Sequence, residues 1–366
     1  MSQARNAPVT AIGLMSGTSM DGIDAAVIQT DGHRLLKRFG GMTVPYEPAF
    51  RERLGEAVSA GEALDPSEEV ALGDEFARLH ASAIKKLDQT ERPSLIGFHG
   101  HTLWHRPDKG LTRQIGNGAL LAELTGIDVV NDLRSADMVA GGEGAPLASL
   151  YHAALAEPLE RPLAVLNLGG VGNVTYLGDD QVLAFDTGPA NAPLDDWVKK
   201  RLGRPFDRDG VLTAQGTPDD GLVDRWLSHP YFAAKPPKSL DRNDFPLDGL
   251  GGLETTDGAA TLASFAVRSV VAALGHLPAA PRRWLVTGGG RRNPTLMALL
   301  ANHLRVPVEP VEMVGWNGDT LEAEAFAFLA VRSRLGLPLT VPGTTGVGKP
   351  TCGGVFHPAP AHARRI

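Results

Sequence analysis

Apolar residues along this chain come in short runs separated by glycine-rich polar turns, a spacing that predicts strands and helices in alternation. The first two runs, Ala11-Ile12-Gly13-Leu14 and Ala25-Ala26-Val27-Ile28, read as strands joined into a hairpin by the polar turn Ser16-Gly17-Thr18-Ser19-Met20-Asp21-Gly22. Leu72, Phe76, Leu79, Ala83 and Leu87 then recur at helical spacing, which predicts one amphipathic helix lying on a sheet. A buried strand at Leu95-Ile96-Gly97-Phe98, a helix over about 117–125 and a strand at Asp128-Val129-Val130 follow. The second half repeats the opening device: Leu163 to Leu168 runs into Gly169-Gly170-Val171-Gly172 and returns through Val174-Thr175-Tyr176. Further on, Trp284-Leu285-Val286 ends in Gly288-Gly289-Gly290, and Asn293 before Pro294 marks a capped helix start. The last helix is expected over about 320–335, with a frayed tail from Pro358.

A chain of 366 residues exceeds what one core usually organises, so two α/β domains are expected, 1–131 and 132–366, with the last segment able to pack back on the first. Charge narrows the partners. A formal net charge of -7 and 21% charged residues give no electrostatic footprint for nucleic acid. Cys352 is the one cysteine, which excludes an intramolecular disulfide and a cysteine-rich zinc site and fits a reducing compartment. The opening residues lack a secretory pattern, and no apolar run approaches the length of a membrane span, so a cytoplasmic protein without a membrane segment is expected.

Chemistry is to be sought in the glycine clusters. The stretch Gly17-Thr18-Ser19-Met20-Asp21-Gly22-Ile23-Asp24 offers backbone amides and hydroxyls that can wrap a phosphate; by itself it reads first as a plain hairpin turn. Two more clusters at strand ends, Gly169-Gly170 and Gly288 to Gly290, favour a nucleotide cleft over three unrelated loops. Asp186 ends the apolar run Val182 to Phe185 and precedes Thr187-Gly188-Pro189, which puts a carboxylate at a strand tip where it can act as a general base or simply close an Asx turn. Glu322 and Glu324 open the final helix. They complement its dipole, and Glu322 is also the candidate for a magnesium ion bridging phosphates.

His99, His101 and His105 flank Gly100 and Trp104, but without a cysteine or carboxylate at ligand spacing they suit hydrogen bonding and stacking to a sugar better than zinc. Gly343 to Lys349 has P-loop spacing, yet Pro350 stands where Ser or Thr is required. Gly170-Val171-Gly172 begins like a dinucleotide fingerprint, yet Thr175 replaces its third glycine and a strand follows.

Taken together, Leu14 to Asp24, Thr112-Arg113-Gln114-Ile115-Gly116, Gly141-Gly142-Glu143-Gly144-Ala145-Pro146-Leu147, Asn167 to Gly170, Phe185 to Pro189, Thr287 to Gly290 and Glu322 to Ala327 resemble the anhydro-N-acetylmuramic acid kinase family, in its order, from about residue 11 to about 356. The resemblance implies two ribonuclease-H-like domains of the actin and hexokinase type with ATP in the cleft between them. Its phosphates would be held by Gly17 to Asp24, with Gly169, Gly170 and Gly288 to Gly290 as further nucleotide contacts. It implies a kinase that hydrolyses the 1,6-anhydro bridge of the sugar and phosphorylates the freed 6-oxygen, using Mg2+, in peptidoglycan recycling. Asp186 matches the family's catalytic aspartate, Glu322 is carried as a further catalytic and metal residue, and His99, Arg134 and Asp137 fall on the sugar side, where Arg134 would hold the lactyl carboxylate. A homodimer is expected.

Four positions depart from the family's pattern: His101 and Glu143 replace glutamines, Leu133 a phenylalanine and Ala190 a glycine. They bear on sugar selectivity, so a kinase for a plain anhydro-sugar such as levoglucosan is the alternative enzyme. A non-catalytic sugar- or nucleotide-binding regulator is the alternative outside enzymes.

Overall fold

The computed structural model describes residues 7–88, 92–240 and 245–360. The chain divides into two compact units, Met1–Pro158 with Asp319–Ile366, and Leu159–Gly318. The first boundary therefore lies at Pro158 and not at 131. Beyond 131 the chain is still tied into the first unit: Asp137 accepts hydrogen bonds from Thr340 and Thr345, and Tyr151 donates to Glu324.

Unit 1 is built on strands β1 (Val9–Met15), β2 (Gly22–Thr30), β3 (Leu35–Pro45), β4 (Leu95–Phe98), β7 (Asp128–Asn131) and β13 (Val355–His357), in the order β13-β7-β4-β1-β2-β3. Between β4 and β7, strands β5 (His101–Arg106) and β6 (Leu111–Ile115) form a separate two-stranded hairpin. Unit 2 carries β8 (Leu163–Leu168), β9 (Val171–Leu177), β10 (Val182–Pro189), β11 (Trp284–Thr287) and β12 (Val308–Pro310), in the order β10-β9-β8-β11-β12. In both, a three-stranded antiparallel meander meets parallel strands on its first member: β1 pairs β2 antiparallel and β4 parallel, β8 pairs β9 antiparallel and β11 parallel. The paired glycine hairpins of the sequence are thus the visible part of a duplicated ribonuclease-H-like topology.

Local chemistry explains the elements. The expected amphipathic helix runs over Pro66–Ile84; Asp65 caps it by accepting from the Ser67 and Glu68 amides, and Leu72, Phe76 and Ala83 are buried in the unit 1 core. The helix Pro294–Leu304 begins as read, with the Asn293 side chain accepting from Leu296 N at 3.1 Å. All six residues of β8 are buried, as a central strand covered on both faces requires.

The helix Leu321–Arg334 lies on the first sheet only because Gly13 and Gly97 carry no side chain: a Cβ at Gly13 would stand 1.7 Å from the Ala323 carbonyl oxygen, and one at Gly97 2.0 Å from that of Phe326. At the tail, Ala359 is buried and its N–H donates to Asp128 Oδ1 at 2.8 Å, while residues 361–366 lie outside the described ones. Among the described residues one stretch, Thr255–His276, is long and apolar enough to cross a bilayer, with a mean hydropathy of 1.5. It is 67% buried, and Ala263, Val267 and Val270 sit in the unit 2 core.

Candidate active site

In unit 1 the β1–β2 turn is fixed from below. Ser16 at its root is buried; its hydroxyl accepts from Tyr46 Oη at 2.8 Å and lies 3.0 Å from His101 Nδ1. Met20 N donates to Gly17 O at 3.0 Å, which closes a tight turn with Met20 at φ 53°, and Ser19 Oγ donates to Asp21 Oδ1 at 2.7 Å. Thr18, Ser19 and Asp21 are exposed at the tip, and a Cβ on Gly17 would meet nothing closer than 3.8 Å, so that backbone is open to a ligand. Gly22 and Ile23 do different work from that read in the sequence. A Cβ at Gly22 would collide with Val44 O at 2.5 Å and Ile23 is in the core, so both serve the sheet.

Beside this turn four carboxylates, Asp21, Asp24, Asp319 and Glu322, share one field. Burial first, then repulsion from the other three, pushes Asp24 up to about 7 against the opposing hydrogen bond from Thr43 Oγ1 at 2.6 Å. Burial also raises Glu322, with the Arg134 charge opposing it. Four acids gathered in this way suit a divalent cation. Among the described residues no three His, Cys, Asp or Glu side chains converge on one point, so an ion here would be held largely through water and phosphate oxygens, as Mg2+ commonly is. Glu324 is a structural acid: it is buried and accepts from Tyr151 Oη at 2.5 Å.

Arg134 is held firmly. Its Nε and one terminal nitrogen donate to His99 Nε2 at 3.1 and 3.0 Å, and its other terminal nitrogen donates to Gly144 O at 2.5 Å. His99 Nδ1 is 2.9 Å from Gly100 O, so both ring nitrogens are engaged. Burial, then the adjacent guanidinium, keeps that ring neutral, well below its usual range. This corrects the sugar contact read for His99, which instead orients Arg134. Asp137 is corrected likewise: it is 2% exposed, Oδ1 accepts from Thr340 and Thr345 at 2.5 and 2.6 Å, and Oδ2 accepts from Gly144 N at 2.7 Å, so it braces the 141–146 loop. Three of the four departures are also explained. His101 is a buried hydrogen-bond partner of Ser16, and Leu133 and Ala190 are packing residues.

Unit 2 brings Asp186 and the remaining glycines into one sheet. Asp186 does not end a strand: β10 continues to Pro189, and Asp186 pairs with Asn173 of β9 just before the bulge at Thr187, where the pairing slips to Gly188. It is 7% exposed, and its Oδ2 accepts from Leu240 N at 2.9 Å. The Gly169 and Gly170 carbonyls accept from Asn191, Ala190 and Ala192 amides and so anchor the start of the helix Asn191–Leu202. Gly288, at φ 75°, is required by packing, because a Cβ there would stand 2.3 Å from Asn167 Oδ1. Gly290 packs on Leu168, whereas Gly289 is open, with its nearest neighbour at 3.7 Å. Lys238, which the sequence reading passed over, is buried beside Asp186. Its sequence signal is no more than the second lysine of the run Lys235-Pro236-Pro237-Lys238.

A family model described as anhydro-N-acetylmuramic acid kinase matches residues 9–359. Among curated relatives, the anhydro-N-acetylmuramic acid kinase of Rhodospirillum rubrum is 52% identical over 355 residues, covering 96% of this chain and 95% of the relative. That of Acidiphilium cryptum is 51% identical over 358 residues, covering 96% and 99%. Among solved structures, a ROK family glucokinase from Streptomyces griseus in complex with glucose and AMPPNP aligns over 88% of this chain and 99% of its own at 14% identity, with a TM-score of 0.40, too low to carry an argument.

Proposed function

Since the chain belongs to the anhydro-N-acetylmuramic acid kinase family, we propose that it opens the 1,6-anhydro bridge of anhydro-N-acetylmuramic acid with water and moves the γ-phosphoryl group of ATP to the freed 6-oxygen, giving N-acetylmuramic acid 6-phosphate and ADP. The observation that carries the reading is Asp186 beside the β10 bulge, a nearly buried carboxylate with Oδ2 fixed by a backbone amide. A group so held loses no orientational freedom when it acts. Asp186 takes a proton from water as the water oxygen bonds to the anomeric carbon. The bond from that carbon to the bridging oxygen breaks, and the released 6-oxygen attacks the γ-phosphorus as ADP leaves.

The open backbone at Gly17 with Thr18 and Ser19, and the open Gly289, are the nucleotide contacts in this reading. Asp21, Asp24 and Glu322 would hold Mg2+, which supplies charge neutralisation on the phosphates. Arg134, pre-oriented by His99, binds the lactyl carboxylate. A kinase drawing on ATP fits the cytoplasm, and a homodimer is the assembly that light scattering would be expected to return.

The test is a reaction in water enriched in heavy oxygen with magnesium ATP and the anhydro-sugar. The product is expected to carry one heavy oxygen at the anomeric hydroxyl and phosphate at the 6-position. Unlabelled product, or phosphate elsewhere, overturns the mechanism. Turnover of levoglucosan serves as the comparison: Arg134→Ala should weaken binding of the muramic sugar and leave levoglucosan untouched.

A further inference from the structure

We propose that Asp137 is a positioning residue for Arg134: by fixing Gly144 it sets the plane in which the guanidinium meets the sugar's carboxylate, and so governs selectivity for the lactyl-bearing sugar. The inference rests on the lactyl-binding reading of Arg134 given above and deepens it.

The short helix Ser135–Val139 has Arg134 at its N-cap position and Asp137 one turn on. Residues three apart lie on one face of a helix, so their side chains can reach a common neighbour. Here both reach Gly144. Asp137 Oδ2 accepts from its N–H at 2.7 Å, and Arg134 Nη1 donates to its carbonyl at 2.5 Å. One residue is thus gripped at both of its polar groups, by an acid at the N–H and by a cation at the C=O. Only glycine suits the position: its φ is 68°, and a Cβ there would stand 2.4 Å from Met138 Sδ.

The rest of the loop is tied to the same acid. Gly142 N donates to the Asp137 carbonyl at 2.9 Å, and Glu143 N donates to the Thr345 carbonyl at 2.7 Å. With Gly144, three successive amides are therefore held, two by Asp137 and one by a threonine whose hydroxyl itself donates to Asp137 Oδ1 at 2.6 Å. Thr340, buried like Thr345, donates to the same oxygen at 2.5 Å, so the carboxylate is fixed by three donors and cannot swing without breaking a buried hydrogen bond. Any shift of Gly144 passes to Arg134. On its other edge the guanidinium meets the single atom His99 Nε2 through two N–H groups, and a plane held at one point can still tilt about it. The Gly144 carbonyl is a second point, and it removes that freedom. Carboxylate recognition by a guanidinium fork is planar and directional, so a tilt weakens the hold on a carboxylate and leaves the remainder of the sugar unaffected.

The experiment is a double-mutant cycle in the full chain: wild type, Asp137→Ala, Arg134→Ala and the double variant, with Asp137→Asn alongside. Calorimetry measures affinity for anhydro-N-acetylmuramic acid, for 1,6-anhydro-N-acetylglucosamine, which lacks only the lactyl group, and for a nonhydrolysable ATP analogue with magnesium. Asp137→Ala is expected to weaken binding of the muramic sugar about tenfold and to change the other two affinities by no more than about twofold. In the Arg134→Ala background the same substitution is expected to change nothing further, because a residue that acts through Arg134 then has nothing left to orient. Asp137→Asn keeps an acceptor for Gly144 N and is expected to stay within about threefold of wild type. Equal losses on both sugars, additive losses in the double variant, or an asparagine variant that binds nucleotide normally yet matches alanine on the muramic sugar each overturn the inference. If Arg134→Ala alone leaves affinity for the muramic sugar unchanged, it is the lactyl-binding reading of Arg134 that fails. Should Asp137→Ala no longer bind nucleotide, it has lost its fold and Thr345→Val takes its place in the cycle. Loss of that donor is expected to weaken the muramic sugar about threefold with Arg134 present and not at all without it, and any other pattern overturns the inference.

Discussion

Gly13→Ala is the substitution whose cost is most directly set by the fold. An alanine Cβ would lie 1.7 Å from the Ala323 carbonyl oxygen and 2.7 Å from Ala327 N, and both obstacles are helix backbone, which has no rotamer to yield. To restore an ordinary contact of a little over 3 Å, the helix Leu321–Arg334 must lift off the sheet by about 1.5 Å, or the strand must bend by as much. That helix buries ten of its fourteen residues, so lifting it loosens contacts along its whole length. Overpacking of this kind costs about 1–3 kcal/mol where side chains can adjust, and a backbone collision belongs at the upper end or beyond.

A loss of about 3 kcal/mol corresponds to roughly 6–12 °C in the melting of a unit of this size. The assay is thermal and urea unfolding of the apo protein. Gly55→Ala, inside the helix Pro48–Ala60 with nothing within 4 Å, serves as the control and should be neutral or stabilising by up to about 1 kcal/mol. Because the same helix carries Glu322, magnesium-nucleotide affinity should fall along with stability. A Gly13→Ala protein melting within about 1 °C of wild type would refute the claim that glycine is there to admit the helix.

Three further outcomes are expected. Asp186→Asn should lower kcat at least about a hundredfold with little change in either KM, measured by steady-state kinetics, since a positioned base contributes roughly 10²–10⁴. Asp24, raised to about 7 in the fold, binds more protons folded than unfolded, so its charge weighs against stability as pH rises from about 4 through 7; Asp24→Asn should therefore raise the magnesium-free melting temperature at pH 8 and barely change it at pH 4. His80 and His101 run the other way: burial lowers them to about 3 and about 4, so the unfolded chain binds more protons below pH 6.5 and stability falls as pH drops. Each should cost about 2 kcal/mol at pH 5, seen as a lower urea midpoint that His80→Leu partly restores.

Strands and helix starts were legible because their signals are local. Asn293 before Pro294 fixes a cap whatever lies around it, and it caps in the structure. The hydrophobic stripe at Leu72, Phe76 and Ala83 needed only a sheet to lie against. Partnerships across long stretches of chain were not legible. Asp137 looks in sequence like any loop acid, and only the return of Thr340 and Thr345 shows that its oxygens are spoken for. His99 suggested a sugar contact because a histidine near tryptophan often makes one, yet the arginine that occupies its Nε2 stands 35 positions on. Lys238 escaped because a lysine that follows two prolines has no periodicity, and Asp186, whose amide donates to its carbonyl, is about fifty residues away in sequence.

The duplicated topology also explains why the two halves divide the chemistry. Each sheet leads its first strand into a glycine turn, but the residues that follow differ. After β1 come hydroxyls and acids, Thr18, Ser19, Asp21 and Asp24, which favour bound cations and phosphate hydroxyl contacts; after β8 come Gly169 and Gly170, whose carbonyls are consumed in anchoring a helix. What the second half supplies instead is an acid two strands on, Asp186, paired just before the β10 bulge: the corresponding strand of unit 1, β3, runs through Gly40 and Gly41 and carries no acid at all. In the proposed reading the base belongs to unit 2 and the cation-binding acids to unit 1, so Asp24→Asn should alter magnesium dependence without moving the acid limb of the kcat profile.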